Sequence, residues 1–148
     1  LEEKSVLAKK VNIASVVKVD NLNVSGEKIR KNGKPVKKKS AKSVDRLKIC
    51  FNATSNQVVE SGNEQFFVRI INPLGETLAV EDLGSGVMTN AASNEEIRYT
   101  QVKELDYGND EVNACMFWEP NTSFQKGTYE VEIYNKGYLA GKGSFTLK

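Results

Sequence analysis

Lysine is the residue type whose spacing most plainly offers chemistry in this chain. Between Lys28 and Lys48 stand Lys28, Arg30, Lys31, Lys34, Lys37, Lys38, Lys39, Lys42, Arg46 and Lys48, against the single acid Asp45. Cations this dense attract anions such as nucleic acid, lipid headgroups or an acidic partner. Lys31, Lys34, Lys37, Lys38, Lys39 and Lys42 are therefore the candidate anion-binding residues. The same residues also suit a solvated hairpin whose lysines deter edge-to-edge aggregation, and that is the commoner use of Lys on an edge strand. No aromatic residue interrupts the stretch, so it holds no platform for stacking bases.

Other reactive side chains are sparse. Histidine is absent, which removes the commonest general base, the Ser/His and Cys/His nucleophile pairs and the commonest zinc ligand. Cys50 and Cys115 are too few for a structural zinc site. Each is out of step with an alternating apolar set, Leu47/Ile49/Phe51 or Val112/Ala114/Met116, which places both off the main core face. Whether they pair is open. Gly84-Ser85-Gly86 lacks the Lys and helix of a phosphate cradle and the partner base of a nucleophile turn, so it reads as loop. Glu95, Glu96, Glu104, Asp106, Asp110 and Glu111 follow no calcium-loop register and read as solvated edges. No catalytic residue, metal or cofactor is assigned, and the chain is read as non-enzymatic. Trp118 ends a strand; core packing is its first reading, and a rim contact with a partner is its candidate role.

The elements that position these residues follow from alternation. Tyr129, Val131 and Ile133 share one face, and Phe145 and Leu147 share a face on the return strand, so the last twenty-two residues form a hairpin that must lie on a second sheet. Leu47, Ile49 and Phe51 alternate likewise, while Phe66, Phe67, Val68, Ile70 and Ile71 suggest a strand buried on both faces. Asn32-Gly33 predicts a tight turn with positive φ at both positions. Residues 81–95 show no sustained period and read as a surface loop, followed by strands at 97–105 and 111–118. Leu1, Leu7, Ala8 and Val11 fit the end of a helix or coiled coil that continues upstream and promotes self-association. The chain starting at Leu1 suggests a processed protein or a fragment. No run reaches the roughly 18 to 20 apolar residues a membrane helix needs.

The expected fold is thus all-β: an antiparallel sandwich with a short N-terminal helical lead-in. Residues 1–11 are assigned to the helix, 12–43 to N-terminal strands and the basic hairpin, and 44–148 to the sandwich core. Charge is also unevenly distributed along the chain. Residues 1–48 hold 14 Lys+Arg against 5 Asp+Glu, and the remainder holds 7 against 14, although the whole is only +2.

Gly127-x-Tyr129-x-Val131 resembles the corner that opens the penultimate strand of immunoglobulin-like domains, with Val131 where antibody domains have cysteine. Together with the basic Asn-Gly hairpin, Asp45-Arg-Leu-Lys-Ile-Cys-Phe51 and Phe67-Val-Arg-Ile-Ile-Asn-Pro-Leu-Gly75, it is similar to envelope-type proteins of Bacteroidetes. In these a coiled coil precedes a C-terminal β-sandwich, and many are loosely labelled chromosome-segregation-like. That resemblance implies a periplasmic or envelope location and a non-catalytic interaction or structural module that binds protein or polysaccharide. The alternative is an anion-binding module that contacts nucleic acid or acidic lipid through the basic hairpin. Salt dependence separates the two, since neutralising several phosphates makes affinity fall steeply with salt, whereas a β-edge or aromatic contact responds weakly.

Overall fold

A computed structural model describes residues 15–148, so the expected helix over residues 1–11 lies outside the described residues. The described chain is all-β. Its strands are β1 (Val19–Ile29), β2 (Pro35–Lys38), β3 (Arg46–Ala53), β4 (Gly62–Ile71), β5 (Gly86–Asn90), β6 (Glu95–Tyr99), β7 (Gln101–Tyr107), β8 (Val112–Trp118), β9 (Gly127–Asn135) and β10 (Tyr138–Leu147). They pair antiparallel into a sheet of order β2-β1-β3-β8, a second of order β10-β9-β4-β7, and the separate hairpin β5-β6. The N-terminal strands thus belong to the same sheet as β3 and β8.

The two larger sheets face each other across one core, because each presents its apolar residues at every second position. Leu47, Ile49 and Phe51 from β3 and Met116 and Trp118 from β8 meet Phe66, Val68 and Ile70 from β4 and Tyr129, Val131 and Ile133 from β9. The rings of Phe51 and Phe66 touch between the sheets with centroids 5.4 Å apart. Phe145 is only partly buried and stacks on Tyr129 at 4.8 Å. The last hairpin turns through Lys136 (φ 56°) and Gly137 (φ 85°), the conformation that matches the twist of paired strands.

Four local expectations are corrected. Only Gly33 of the Asn32-Gly33 pair has positive φ (82°); Asn32 instead accepts the Lys34 N–H on its Oδ1 at 3.0 Å, so the three residues 31–33 form the loop. β4 is buried on one face only. Phe67 and Ile71 on its other face are half-buried, with Phe67 packed edge-on against Tyr99 at 4.9 Å. Residues 81–95 are not one loop: they hold a 3-10 turn at Glu81–Leu83, strand β5 and the turn into β6. The strand expected over 97–105 is two strands that part at Thr100. This residue is fully buried: its backbone N–H bonds to Val68, and its hydroxyl donates to the Leu78 carbonyl while accepting the Ile70 N–H.

A candidate anion-binding surface

The β1–β2 ribbon forms one edge of its sheet. Glu27 pairs with Lys37 and Gly26 with Lys38. Consecutive residues on a strand point to opposite faces. Lys37 therefore stands on the outer face beside Glu27, and Lys38 on the opposite face. Beyond β2 the chain leaves this sheet for the other. The Lys148 N–H bonds to the Lys39 carbonyl and the Ala41 N–H to the Lys148 carbonyl, both at 2.8 Å, which is the pattern of a parallel bridge centred on Ser40. A groove of about 360 Å³ lies between Asn23–Gly26 of β1, Lys37–Lys39 and the end of β10 at Lys148.

All six candidate lysines, Lys31, Lys34, Lys37, Lys38, Lys39 and Lys42, are exposed, as are Lys28, Arg30 and Lys148. None of them forms an ion pair among the described residues, where the pairs are Arg46–Glu27, Arg69–Glu132 and Lys136–Glu64. The acids nearest the ribbon are already engaged. Glu27 bonds the Arg46 guanidinium at 2.8 Å, and Asp45 accepts the Ile29 N–H at 2.8 Å. The lysines of β2 and its turn thus stand without ion pairs among the described residues, while Lys42 lines a cavity with Asp45 and Glu119.

The sequence reading missed Lys148, because alternation does not say which strand of the last hairpin lies beside β1. The signal was Gly141-x-Gly143. A Cβ at Gly141 would press on Val19 Cγ2, and one at Gly143 would lie 3.2 Å from Leu22 Cδ2, so these glycines mark the close approach of β10 to β1.

Trp118 does not serve as a rim contact: it is 1% exposed and sits in the core. Its neighbour Phe117 occupies the outer face, 42% exposed, with the Arg46 guanidinium 4.1 Å above its ring. Parity decides this, since Ala114, Met116 and Trp118 point inward and Cys115 and Phe117 outward. Cys115 is bonded to Cys50 across β3 and β8, which answers the pairing that the sequence left open. Ser85 is a brace. Its hydroxyl accepts the Val80 N–H at 2.9 Å and donates to the Thr100 carbonyl.

Burial pushes the hydroxyls of Tyr107, Tyr129 and Tyr134 above the ordinary tyrosine value. Nearby acids add to this at Tyr107 (Glu64, then Asp110) and at Tyr134 (Glu132). These three groups belong to the packing of the sheets and not to the ribbon.

Fold and surface together define an all-β domain of two facing four-stranded sheets and a separate hairpin, with a basic edge ribbon. Residues 20–148 match the family described as a domain of unknown function (DUF8428), and the chain belongs to that family. No curated protein matches it. Among solved structures it is similar to Pseudomonas fluorescens alkylpurine DNA glycosylase AlkC bound to DNA containing an abasic site analog, with a TM-score of 0.44 and 10% identity. That match covers 96% of this chain and 36% of the glycosylase, and a likeness this low carries no functional argument. Among the described residues no helix is long and apolar enough to cross a membrane.

Proposed function

We propose that this chain is a non-catalytic, immunoglobulin-like binding module of the cell envelope, and that its β1–β2 ribbon with the adjoining groove takes an acidic polysaccharide. The observation that carries this reading is the set of exposed lysines with no ion-pair partner along one sheet edge. Lysine ammoniums are compact point charges without the rigid fork of arginine, which suits carboxylates or sulfates dispersed along a chain. The absence of aromatics between Lys28 and Lys48 disfavours stacked bases.

The immunoglobulin-like reading draws on the corner at β9. The Tyr129 hydroxyl donates to the Gln125 carbonyl at 2.6 Å, and Val131 follows two positions later at 0% exposure. The envelope reading draws on the Cys50–Cys115 disulfide, since such bonds persist in oxidising compartments.

The test compares the wild-type chain with the triple reversal Lys37→Glu, Lys38→Glu, Lys39→Glu on immobilised heparin, polygalacturonate, duplex DNA and phosphatidylglycerol vesicles. Salt-sensitive retention of the wild type on the polysaccharides, lost in the reversal, is the expected result. Equal retention of both proteins on every surface would leave protection of the sheet edge as the ribbon's sole role.

A further inference from the structure

β8 ends its sheet and has no strand beyond it. In its antiparallel register with β3, Cys50 stands opposite Cys115 with a Cα–Cα distance of 4.1 Å. That spacing marks a non-hydrogen-bonded pair, so the flanking pairs Ile49/Met116 and Phe51/Ala114 exchange the ladder bonds. The N–H and C=O groups of Asn113, Cys115 and Phe117 therefore point away from β3, and none has a backbone partner among the described residues. All three residues are exposed.

The other edges of the two large sheets are guarded. β2 has four residues, opens with Pro35, which lacks an N–H, and carries Lys37 and Lys38. β10 is covered by β1 at Gly141 and Gly143 and is tied at Lys148. β7 carries Lys103, Glu104 and Asp106. β8 has no charged residue and no proline within Val112–Trp118. The disulfide moreover fastens β8 to β3, so this edge is held in strand geometry and not left to fray.

We infer that the outer edge of β8 accepts an extended segment of a partner protein as an added strand, with a short uncharged, β-prone centre and Lys or Arg at both ends. Main-chain bonds to Asn113, Cys115 and Phe117 hold it, and the exposed Phe117 ring meets an apolar side chain opposite. The basic ends follow from charge: exposed Glu111 and Glu119 bracket the strand, and neither has an ion-pair partner among the described residues. A second copy fits less well. Symmetric pairing centred on Cys115 sets Glu111 of each chain opposite Glu119 of the other, and head-to-tail growth onto β2 meets Pro35 and the lysines.

The probe is a blocked synthetic peptide, Lys-Thr-Val-Thr-Val-Thr-Val-Thr-Lys, whose ends fall opposite Glu119 and Glu111 and whose valines fall opposite Phe117, Cys115 and Asn113, added to the oxidised full chain while amide hydrogen exchange is followed by NMR. Slowed exchange confined to Asn113, Cys115 and Phe117 is expected, with no slowing for the peptide N-methylated at alternate residues and weaker slowing for a version with Glu ends. The variant Asn113→Lys with Phe117→Lys, whose fold is checked from the same spectra, should lose the effect, while the triple reversal Lys37→Glu, Lys38→Glu, Lys39→Glu should keep it. No protection at millimolar peptide, protection elsewhere, or exchange that slows with protein concentration alone would each overturn the proposal, the last by making a second copy the occupant.

Discussion

The Tyr129 hydroxyl reaches back four residues to the Gln125 carbonyl, and its ring lies on Phe145 as β9 begins. Replacing Tyr129 with Phe leaves the ring and removes the bond, so a loss of about 1 kcal/mol is expected from urea unfolding at neutral pH. The sign of the pH dependence follows from burial. The hydroxyls of Tyr107, Tyr129 and Tyr134 hold their protons to higher pH in the folded chain than in the unfolded one. Their contribution is complete below the ordinary value of 10.0 and falls as pH rises through the raised values. The urea midpoint should therefore fall above about pH 10, and less steeply in Tyr129→Phe. Val131, two positions on, is fully buried between β4 and β10, and Val131→Asp places an unpaired charge there and should abolish folding, read as loss of amide dispersion in the NMR spectrum. At this scale the sequence was largely legible, because alternation alone assigns Leu47, Ile49, Val68, Ile70, Val131 and Ile133 to the core. Trp118 shows the remaining step: the parity that put Cys115 outside also puts Trp118 inside and leaves Phe117 as the exposed aromatic.

Strand β8 depends on its staple. The Cys50–Cys115 bond closes a separation of 65 residues, so replacing both cysteines with Ala should cost about 4 kcal/mol on the chain-entropy account, read from guanidinium unfolding. β10 depends on its glycines. A Cβ at Gly141 would press on Val19 Cγ2 and lie 2.9 Å from the Val19 backbone oxygen, so Gly141→Ala should cost about 1 to 3 kcal/mol in the same assay. Elements that bury a full face were readable; in sequence β5 reads as loop, and β6 runs together with β7. In β5 only Met88 is buried, and β6 buries no residue, so neither shows the alternation that betrays a strand. The change of direction at Thr100 was hidden because a buried threonine that satisfies three backbone groups looks in sequence like any strand residue.

Across the molecule, the order β2-β1-β3-β8 sets the basic ribbon and the bare edge of β8 three strand spacings apart, roughly 14 Å. Ions screen over about 8 Å at physiological salt, so an acid at the far edge such as Glu111 does little to cancel the ribbon's field at contact, whereas Glu119 shares a cavity with Lys42 and Asp45. The net charge of +2 conceals this separation, whereas the count along the chain reveals it. The groove was not legible, since it depends on β2 crossing to Lys148 at the far end of the sequence. The most direct test of the ribbon's role is the salt dependence of polygalacturonate binding, measured by titration calorimetry for the wild type and for Lys37→Ala, Lys38→Ala, Lys39→Ala. The wild-type affinity should fall linearly on logarithmic axes, and the triple variant should show a slope smaller by about three, one for each cation removed. An identical slope and affinity in the two proteins would contradict the assignment of this ribbon as the binding surface.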